Sequence, residues 1–247
     1  MNGSVWFPYN TNKNYVDHRV FCFHHAGGNA STYFTWANKN YDKIEFCPVE
    51  LPGHGSRINE EYEHDFDAII KNISHEIASY DNVDNITLFG HSLGSLIAYE
   101  VTSLLEREYN VNVRNLIVAG REAPQCMNRH KDVHYFSDEY LVSELFEMGG
   151  TPISILNNNN LMDYFLPILR SDYMLHRNYT FKNSQVNCPI HVHYGTQDKY
   201  TKLSNLKKWG TITTNNVFLN GFEGNHFFPI YMKEDYVNIL VEIINNS

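Results

Sequence analysis

The chain of 247 residues is predicted to have an α/β fold, with a mostly parallel central sheet flanked by helices. Short apolar runs alternate along the sequence with longer amphipathic runs, which is the pattern of strands and crossover helices in a parallel sheet. The apolar runs are nearly continuous, as expected for strands that are buried on both faces. A chain of this length can bury a sizeable core, and we expect a single domain over residues 1–247.

Six apolar runs are predicted to form the strands of this sheet. Each run ends in glycine, proline or a polar turn, as strands commonly do. The predicted strands are Val20–Phe23, Ile44–Pro48, Ile86–Phe89, Leu116–Ala119, Ile190–Tyr194 and Val217–Leu219.

Three amphipathic runs are predicted to form helices beside the sheet. Asp65–Tyr80 and Ser95–Tyr109 repeat apolar residues at helical spacing. The last run, Pro229–Ile244, begins with a proline in its first turn, where the missing N–H costs no intrahelical bond.

The region from about residue 122 to residue 186 interrupts this alternation. It contains two helical runs, Asp138–Met148 and Leu161–Tyr173, joined by a segment rich in glycine and asparagine. Connections without structure of their own rarely exceed ~15 residues unless they are functional. We therefore interpret the region as an inserted helical lid, and the alternative is an ordinary long connection.

Composition excludes several classes of partner. The formal net charge of −9 argues against nucleic acid, because affinity for phosphate backbones comes from clustered lysine and arginine. No apolar run approaches the ~20 residues that a membrane-spanning helix needs. The four cysteines have no CxxC spacing, and the start of the chain does not look like a signal peptide. We expect a monomer in the cytoplasm, without a nucleic-acid or membrane partner.

The candidate nucleophile is Ser92, in the pentapeptide Gly90-His91-Ser92-Leu93-Gly94. A Gly-x-Ser-x-Gly pattern is weak evidence by itself, since it arises by chance in about one chain in ten or twenty of this length. Here a predicted strand ends just before it and a predicted helix follows, which is the strand-turn-helix of a nucleophile elbow. The glycines permit a tight turn, and the helix directs its first amides at the reaction centre.

A serine hydroxyl needs a histidine base, oriented by a carboxylate, before it can act as a nucleophile. His226 is the best placed of thirteen histidines, in a small-residue loop between the last predicted strand and the terminal helix. His191 and His193 alternate with apolar residues inside a strand, which favours structural roles. His54, in the loop Pro52–Gly55, is the main alternative base.

The acid is expected after a strand that lies between the serine and the histidine, because this type of site orders its residues as serine, acid, histidine. Asp198 meets this condition, in a turn directly after Ile190–Tyr194. The alternative is Glu122, which follows the preceding strand. Together, Ser92, Asp198 and His226 predict a serine hydrolase with the α/β-hydrolase fold.

Two backbone amides are needed to stabilise the oxyanion that forms on a substrate carbonyl. One is expected from Leu93, the residue after the nucleophile, and the other from Ala26, in the loop after the first strand. Gly27-Gly28 in this loop would let the backbone approach the substrate, and a simple turn is the alternative interpretation.

Further motifs are spread over nearly the whole chain. They are Phe23–Gly28, Glu50–Gly55, Phe89–Gly94, Gly149–Pro152, Leu166-Pro167, Arg170–Tyr173, Asp198 and Gly224–Phe228. Together they resemble the type II thioesterases that accompany nonribosomal peptide and polyketide synthases. That resemblance implies a free-standing hydrolase that removes misprimed or stalled acyl groups from the phosphopantetheine arm of carrier domains.

By motif position, the resemblance also implies the roles of individual residues. It favours Asp198 over Glu122, since thioesterase domains fused to synthases look more like the other arrangement. The family usually has Pro-Phe where this chain has His24-His25, and glycine where it has Asn225, so the oxyanion loop and acyl pocket are expected to differ. The implied triad is Ser92, Asp198 and His226, and the implied oxyanion donors are Ala26 and Leu93.

The expected substrate is an acyl thioester on an acyl or peptidyl carrier protein. A thiol leaving group with a pKa of about 8.5 departs more readily than an alkoxide, so its protonation by His226 is less demanding. No metal or bound cofactor is implied, because the phosphopantetheine belongs to the partner. The alternatives are a small-molecule esterase or lipase, a fatty-acyl chain-release thioesterase, and a non-catalytic module that binds carriers.

Overall fold

The computed structural model describes residues 4–10, 16–39, 41, 43–80, 85–126 and 137–246. All six predicted runs lie in strands, most of which extend beyond the predicted bounds. The strands are β1 His18–Phe23, β2 Ile44–Pro48, β3 Ile86–His91, β4 Val113–Ala119, β5 Ile190–Gly195 and β6 Val217–Phe222. They form one parallel sheet in the order β2-β1-β3-β4-β5-β6, which confirms the predicted fold class.

The order in which the chain adds strands to the sheet reverses at β1: β2 lies on one side of β1, and β3 and the later strands lie on the other. β1 pairs with β2 on one side and with β3 on the other. In an open parallel sheet, the connections that leave the carboxyl ends of two such strands diverge and leave a crevice between them. Phe23 pairs with Gly90 in the sheet, so the loop after β1 and the turn after β3 meet at this crevice.

Helices cover both faces of the sheet, because side chains alternate between the faces along each strand. In β1, Phe21 and Phe23 belong to the larger core cluster, whereas Val20 and Cys22 belong to a second cluster. α2 and α3 pack in the larger cluster, and α1 and α9 pack in the second. The helices of the described residues are α1 Phe34–Asn38, α2 Phe66–Ala78, α3 Leu93–Glu108, α4 Asp138–Met148, α5 Ile153–Leu156, α6 Asn159–Asn178, α7 Leu203–Leu206, α8 Phe228–Tyr231 and α9 Glu234–Asn245.

The first two long helices begin close to their predicted starts. Asp65 is the N-cap of α2, since its Oδ1 accepts from the amides of Asp67 and Ala68 at 2.9 and 3.2 Å. α3 begins at Leu93, two residues earlier than predicted. Ser92 therefore lies directly at the N-terminus of α3.

The prediction of a single terminal helix over Pro229–Ile244 is wrong. α8 ends at Tyr231 and α9 begins at Glu234. Lys233 between them has a φ of 49°, a left-handed value that a right-handed helix does not accommodate. The apolar spacing continues across the break, because Tyr236 of α9 still packs in the core.

β6 also differs from its prediction as a buried strand. It is the edge strand of the sheet and pairs only with β5 among the described strands. Its side chains alternate in exposure, and Phe218 is 45% exposed. An apolar run of three residues therefore forms a half-exposed strand here.

Three helices, α4, α5 and α6, occupy the region that the sequence predicts as a lid. α4 has the predicted bounds, α6 extends beyond the predicted Leu161–Tyr173 at both ends, and α5 was not predicted. Residues 127–136 of the predicted lid lie outside the described residues. The helices pack around a small apolar cluster of Leu141, Leu145, Met162, Leu166 and Leu169, which Ala26 of the β1 loop contacts.

Two compositional expectations can be compared with the structure. Within the described ranges, no helix has both the length and the apolar character needed to cross a membrane. All four cysteines are free thiols, and Cys22, Cys47 and Cys188 are buried. A buried free cysteine behaves as a small apolar side chain.

Ile73 on α2 is fully buried in the larger core cluster. Replacing it in Ile73→Ala is expected to lower the free energy of unfolding by about 2–5 kcal/mol, because buried methyl groups are lost and a cavity remains. Denaturant unfolding followed by circular dichroism measures this change. Ile153→Ala removes the same atoms from a side chain that is 61% exposed and is the matched control. Equal losses in both variants would contradict this description of the core.

Candidate active site

Ser92 occupies the sharp turn between β3 and α3. Its φ of 55° and ψ of −112° lie outside the regions that L-residues ordinarily adopt, a conformation that costs about 1–3 kcal/mol. Neighbouring contacts hold the turn: the Ser92 amide donates to the Ala119 carbonyl at 2.8 Å, and the Ser95 hydroxyl donates to the Gly90 carbonyl at 2.7 Å. The strained conformation is therefore fixed by β4 and by the first turn of α3.

Close backbone contacts require the two glycines of the pentapeptide. A Cβ atom on Gly90 would lie 2.2 Å from the Gly94 carbonyl oxygen. A Cβ atom on Gly94 would lie 2.1 Å from the Phe23 carbonyl oxygen. Any side chain at these positions would separate β1, β3 and α3, so the glycines bring the loop after β1 next to Ser92.

His226 and Asp198 come from the turns after the last two strands. β5 and β6 end side by side, and the Gln197 amide ties the two turns together by donating to the Gly224 carbonyl at 2.9 Å. The His226 Nδ1–H donates to Asp198 Oδ2 at 2.8 Å. The predicted base and the predicted acid are thus in direct contact.

Asp198 is held in its ionised form. Its side chain is fully buried, and burial by itself would raise its pKa. The hydrogen bond and charge of His226 outweigh this effect, together with the Tyr200 amide at 2.8 Å and the Thr201 hydroxyl, so the pKa is lowered. An ionised Asp198 keeps a proton on His226 Nδ1, which leaves Nε2 as the proton acceptor. No described residue forms a hydrogen bond to this Nε2.

His91, the second residue of the pentapeptide, holds the backbone of His226. Its Nε2–H donates to the His226 carbonyl at 2.8 Å. Burial and the neighbouring His226 ring lower the pKa of His91 to about 3, so it is neutral at ordinary pH. Sequence reasoning assigned it no role, because its only signal is a neighbour 135 positions away in the chain.

Ser92 and His226 line one cavity of about 640 Å³. Ala26 and Leu93, the two predicted oxyanion donors, line the same cavity. Leu93 is the first residue of α3, and the first amides of a helix have no intrahelical partner. α4 and α6 supply further walls through Tyr140, Glu144, Leu145, Met148, Leu169, Asp172, Tyr173, His176 and Arg177.

Glu122, the alternative acid, is engaged away from His226. Its Oε1 accepts from the Lys202 amide at 2.8 Å, and its Oε2 accepts from Asn205 Nδ2 at 2.9 Å. The carboxylate therefore holds the start of α7. The structure pairs His226 with Asp198 and not with Glu122.

The two strand histidines lie in packing environments. His193 is fully buried, and its Nδ1 lies 2.8 Å from the Tyr236 hydroxyl. His191 stacks on Phe218 with ring centroids 4.8 Å apart. Neither histidine lines the cavity that contains Ser92.

His54, the alternative base, is buried in an ion pair with Asp172 of α6. Its Nε2 lies 3.1 Å from the carboxylate, and its Nδ1–H donates to the Pro52 carbonyl at 2.9 Å. Burial lowers the pKa of His54, but the charge and hydrogen bond of Asp172 outweigh burial, so the pKa is raised. Asp172 Oδ2 also accepts from the Gly27 amide at 2.7 Å. The pair thus links α6 to the loop that carries the first predicted oxyanion donor.

His24 and His25 contact different parts of the site. His24 is buried beside His54, at 5.2 Å between ring centroids, and its Nδ1–H donates to the His25 carbonyl at 2.9 Å. His25 lines the cavity, and burial, together with His91, lowers its pKa well below the ordinary value. His25 therefore presents a neutral ring to the cavity.

Asn225 supports the turn that carries the predicted base. Its Oδ1 accepts from the Phe227 amide at 2.9 Å. Its backbone carbonyl accepts from the Phe228 amide at 3.1 Å, which starts α8. The residue therefore acts on the conformation of the turn that precedes α8.

The strained serine turn on a parallel sheet defines the α/β-hydrolase fold. The thioesterase domain family matches residues 18–247, and the chain belongs to this family. It is an enzyme that hydrolyses thioesters, as the sequence predicted.

Individual relatives identify the group within the family. Gramicidin S biosynthesis protein GrsT of Aneurinibacillus migulanus is 32% identical over 223 residues, which cover 90% of this chain and 87% of that protein. Thioesterase PikA5 of Streptomyces venezuelae is 28% identical over 211 residues, which cover 85% and 75%. The structure of the type II thioesterase BorB from the borrelidin biosynthetic cluster matches with a TM-score of 0.87 and 26% identity over 99% of both chains. The predicted assignment to the type II thioesterases of nonribosomal peptide and polyketide synthesis is confirmed.

Asp172→Asn is expected to reverse the direction of the His54 pKa shift. Asp172 holds this pKa above 6.5, and without the carboxylate the effect of burial brings it below 6.5. A pair that raises a histidine pKa stabilises the fold below the unfolded pKa, and this contribution is lost as pH rises through the folded pKa. The loss in free energy of unfolding, relative to the wild type, should therefore be largest at acidic pH.

NMR titration of the His54 ring and unfolding at several pH values measure the two effects. Asp67→Asn is the control, because Asp67 forms an exposed ion pair with Lys182 instead. A His54 pKa that does not change in Asp172→Asn would contradict the assigned ion pair.

Proposed function

We propose that the enzyme removes acyl groups from the phosphopantetheine arm of carrier proteins through an acyl-enzyme on Ser92, and so serves as an editing thioesterase. The observation that carries this proposal is the 2.8 Å hydrogen bond from His226 to Asp198 at the cavity that also contains Ser92. The similarity to GrsT, a gramicidin S biosynthesis protein, and to the type II thioesterase BorB of the borrelidin biosynthetic cluster supports the choice of carrier-bound substrates.

The first half of the reaction forms the acyl-enzyme. His226 Nε2 takes the proton of the Ser92 hydroxyl while the oxygen attacks the thioester carbonyl carbon. The amides of Ala26 and Leu93 donate to the oxyanion, which is stabilised because these donors are already oriented. When the intermediate collapses, the carbon–sulfur bond breaks and His226 returns the proton to the departing thiolate.

The second half releases the acid. Water enters the site left by the thiol, and His226 removes a proton as the water oxygen attacks the ester carbonyl. The same amides stabilise the second oxyanion. Collapse restores the Ser92 hydroxyl and frees the carboxylic acid, so the net reaction consumes one water for each thioester.

The partner supplies the only prosthetic group that this route uses. The phosphopantetheine arrives covalently attached to the carrier and leaves with it as a free thiol. The enzyme contributes its own side chains and two backbone amides, and the solvent supplies the water. A cytoplasmic location is proposed from the four free cysteines, which are typical of a reducing compartment.

The region of about residues 122–186 is proposed to act as a lid that controls entry of the arm and acyl chain. α4 and α6 supply many of the residues that line the cavity. α6 also contacts the oxyanion loop through Asp172 and the Gly27 amide. Movement of α6 would therefore act on both cavity access and the position of the Ala26 amide.

Ser92→Ala is expected to abolish labelling by a fluorophosphonate and to lower kcat by about 10⁶-fold, because the nucleophile is lost. Asp198→Asn is expected to lower kcat by about 10⁴-fold, since His226 loses the partner that fixes its tautomer. Glu122→Gln is the matched control and should retain activity within a few fold. A larger loss in Glu122→Gln than in Asp198→Asn would assign the acid to the other strand.

The substrate is tested by comparing acetyl-carrier protein with p-nitrophenyl acetate. A higher kcat/KM for the carrier thioester is expected, because the phosphopantetheine arm and the carrier add binding energy that the small ester lacks. Ser92→Ala gives the background rate for both. A strong preference for the ester would instead favour a small-molecule esterase, and absence of hydrolysis of either would favour a non-catalytic carrier-binding module.

A further inference from the structure

One face of α6 holds Gly27, the residue that follows the predicted oxyanion donor Ala26. The Gly27 amide donates to Asp172 Oδ2 at 2.7 Å. A Cβ atom on Gly27 would lie 2.6 Å from Cζ of Phe165 and 3.2 Å from Cδ1 of Leu169, so α6 also lies directly against its backbone. Phe165, Leu169 and Asp172 are spaced by four and three residues, which places them on the same face of the helix.

The hydrogen bond of the Gly27 amide restricts the direction of the Ala26 amide. The peptide unit between Ala26 and Gly27 is planar, so a bond to its N–H orients the whole unit. The Ala26 amide then has only the two rotations at its own Cα. The next amide, that of Gly28, donates to the His25 carbonyl at 2.9 Å. Ala26 itself lines the cavity and packs against the apolar cluster of α4 and α6.

Asp172 is held in turn by His54. The Asp172 side chain is buried, and the His54 Nε2–H donates to its carboxylate at 3.1 Å. The other ring nitrogen of His54 donates to the Pro52 carbonyl at 2.9 Å, which fixes the ring. Hydrogen bonds to a carboxylate are stronger than those between neutral groups. The positive charge of His54 also balances Asp172, which lines the same cavity as Ser92 and would otherwise oppose a negative oxygen there.

We propose that Asp172 is a positioning residue that holds the Ala26 amide in place for the oxyanion, so that the oxyanion hole is complete only while α6 lies against the loop after β1. This inference rests on the proposed function, because it takes Ser92 as the attacking atom and Ala26 as a donor. Asp172 acts through the Gly27 amide and takes no proton in the reaction. α6 is therefore part of the catalytic support as well as a wall of the cavity.

Two inhibitors separate oxyanion stabilisation from binding to the cavity wall. The first is an alkyl trifluoromethyl ketone. Ser92 Oγ adds to its carbonyl carbon, the hydroxyl proton passes to His226, and the ketone oxygen becomes an anion at the two amides. The second is the same molecule with a methylene in place of the carbonyl. It has nearly the same size and forms no anion, so its Ki reports on the cavity alone.

Asp172→Ala is expected to lower kcat on the acetyl thioester of N-acetylcysteamine by about 100-fold, the effect of a small displacement of a group that acts on the transition state. The Ki of the ketone should rise by a similar factor, whereas KM and the Ki of the methylene compound should stay close to the wild-type values. Asp172→Asn should restore most of kcat, because its amide oxygen can accept from Gly27 and its Nδ2–H can donate to His54 Nε2.

Ser171→Ala is the matched control. Ser171 is the preceding residue of α6 and is also buried, but its hydroxyl lies 3.1 Å from His64 Nε2 and not against the loop after β1. This variant should keep the wild-type kcat and both Ki values. An unchanged kcat in Asp172→Ala would overturn the proposal. An equal loss of affinity for the two inhibitors, or a loss of kcat in Asp172→Asn as large as in Asp172→Ala, would also overturn it.

Amide hydrogen exchange of the wild type, followed by NMR, covers the case in which Asp172→Ala does not fold. The Gly27 amide should exchange slowly in the free enzyme, because it is bonded to a buried carboxylate, and the Ala26 amide should gain protection when the ketone binds. Rapid exchange at Gly27, or no added protection at Ala26, would overturn the proposal. A wild-type enzyme that hydrolyses no thioester and binds the two inhibitors equally would instead defeat the proposed function, so the two failures are distinguishable.

Discussion

The strained turn at Ser92 is the constraint on which the site depends. A serine with a φ of 55° is unfavourable by itself, and it persists because the turn is bonded to β4 and to α3. The contact between Gly94 and the Phe23 carbonyl leaves no room for a side chain and brings the loop after β1 against the same turn. One packing contact thus brings together the candidate nucleophile and the loop that contains Ala26.

Two buried histidine–aspartate pairs connect segments that meet at the cavity that contains Ser92. His226 and Asp198 link the turns after β5 and β6, and their hydrogen bond orients the His226 ring, which lines the same cavity as Ser92. His54 and Asp172 link α6 to the Gly27 amide, in the loop that contains Ala26. The chemistry of the two pairs is similar, but their positions differ. His226 of the first pair and Asp172 of the second both line the cavity that contains Ser92.

The region between β4 and β5 gives the cavity its particular character. α4 and α6 supply most of the apolar wall, whereas the end of β4 supplies Arg121. His25 adds a neutral ring to the same wall, and its uncharged state follows from burial beside His91.

Local pattern was sufficient for most elements of the fold. Buried strands and amphipathic helices have distinct periods, and the order of Ser92, Asp198 and His226 along those elements led to the same candidate site. The pattern did not predict the break between α8 and α9, because the helical spacing of apolar residues continues through it. A single residue with a positive φ, Lys233, interrupts the helix without changing that spacing. It also overestimated the burial of β6, since three apolar residues in a row do not reveal an edge strand.

The sequence by itself therefore determined the fold class, the family and the candidate nucleophile, and it narrowed the base and the acid to two candidates each, because these depend on short motifs and their order. Only the tertiary structure decided between Asp198 and Glu122 as the partner of His226, and between an active-site and a supporting position for His54. It also revealed the hydrogen bond from His91 to the His226 carbonyl. These contacts join residues that are far apart in the chain. Which side chains meet therefore depends on how the helices and strands pack, and no local pattern encodes that packing.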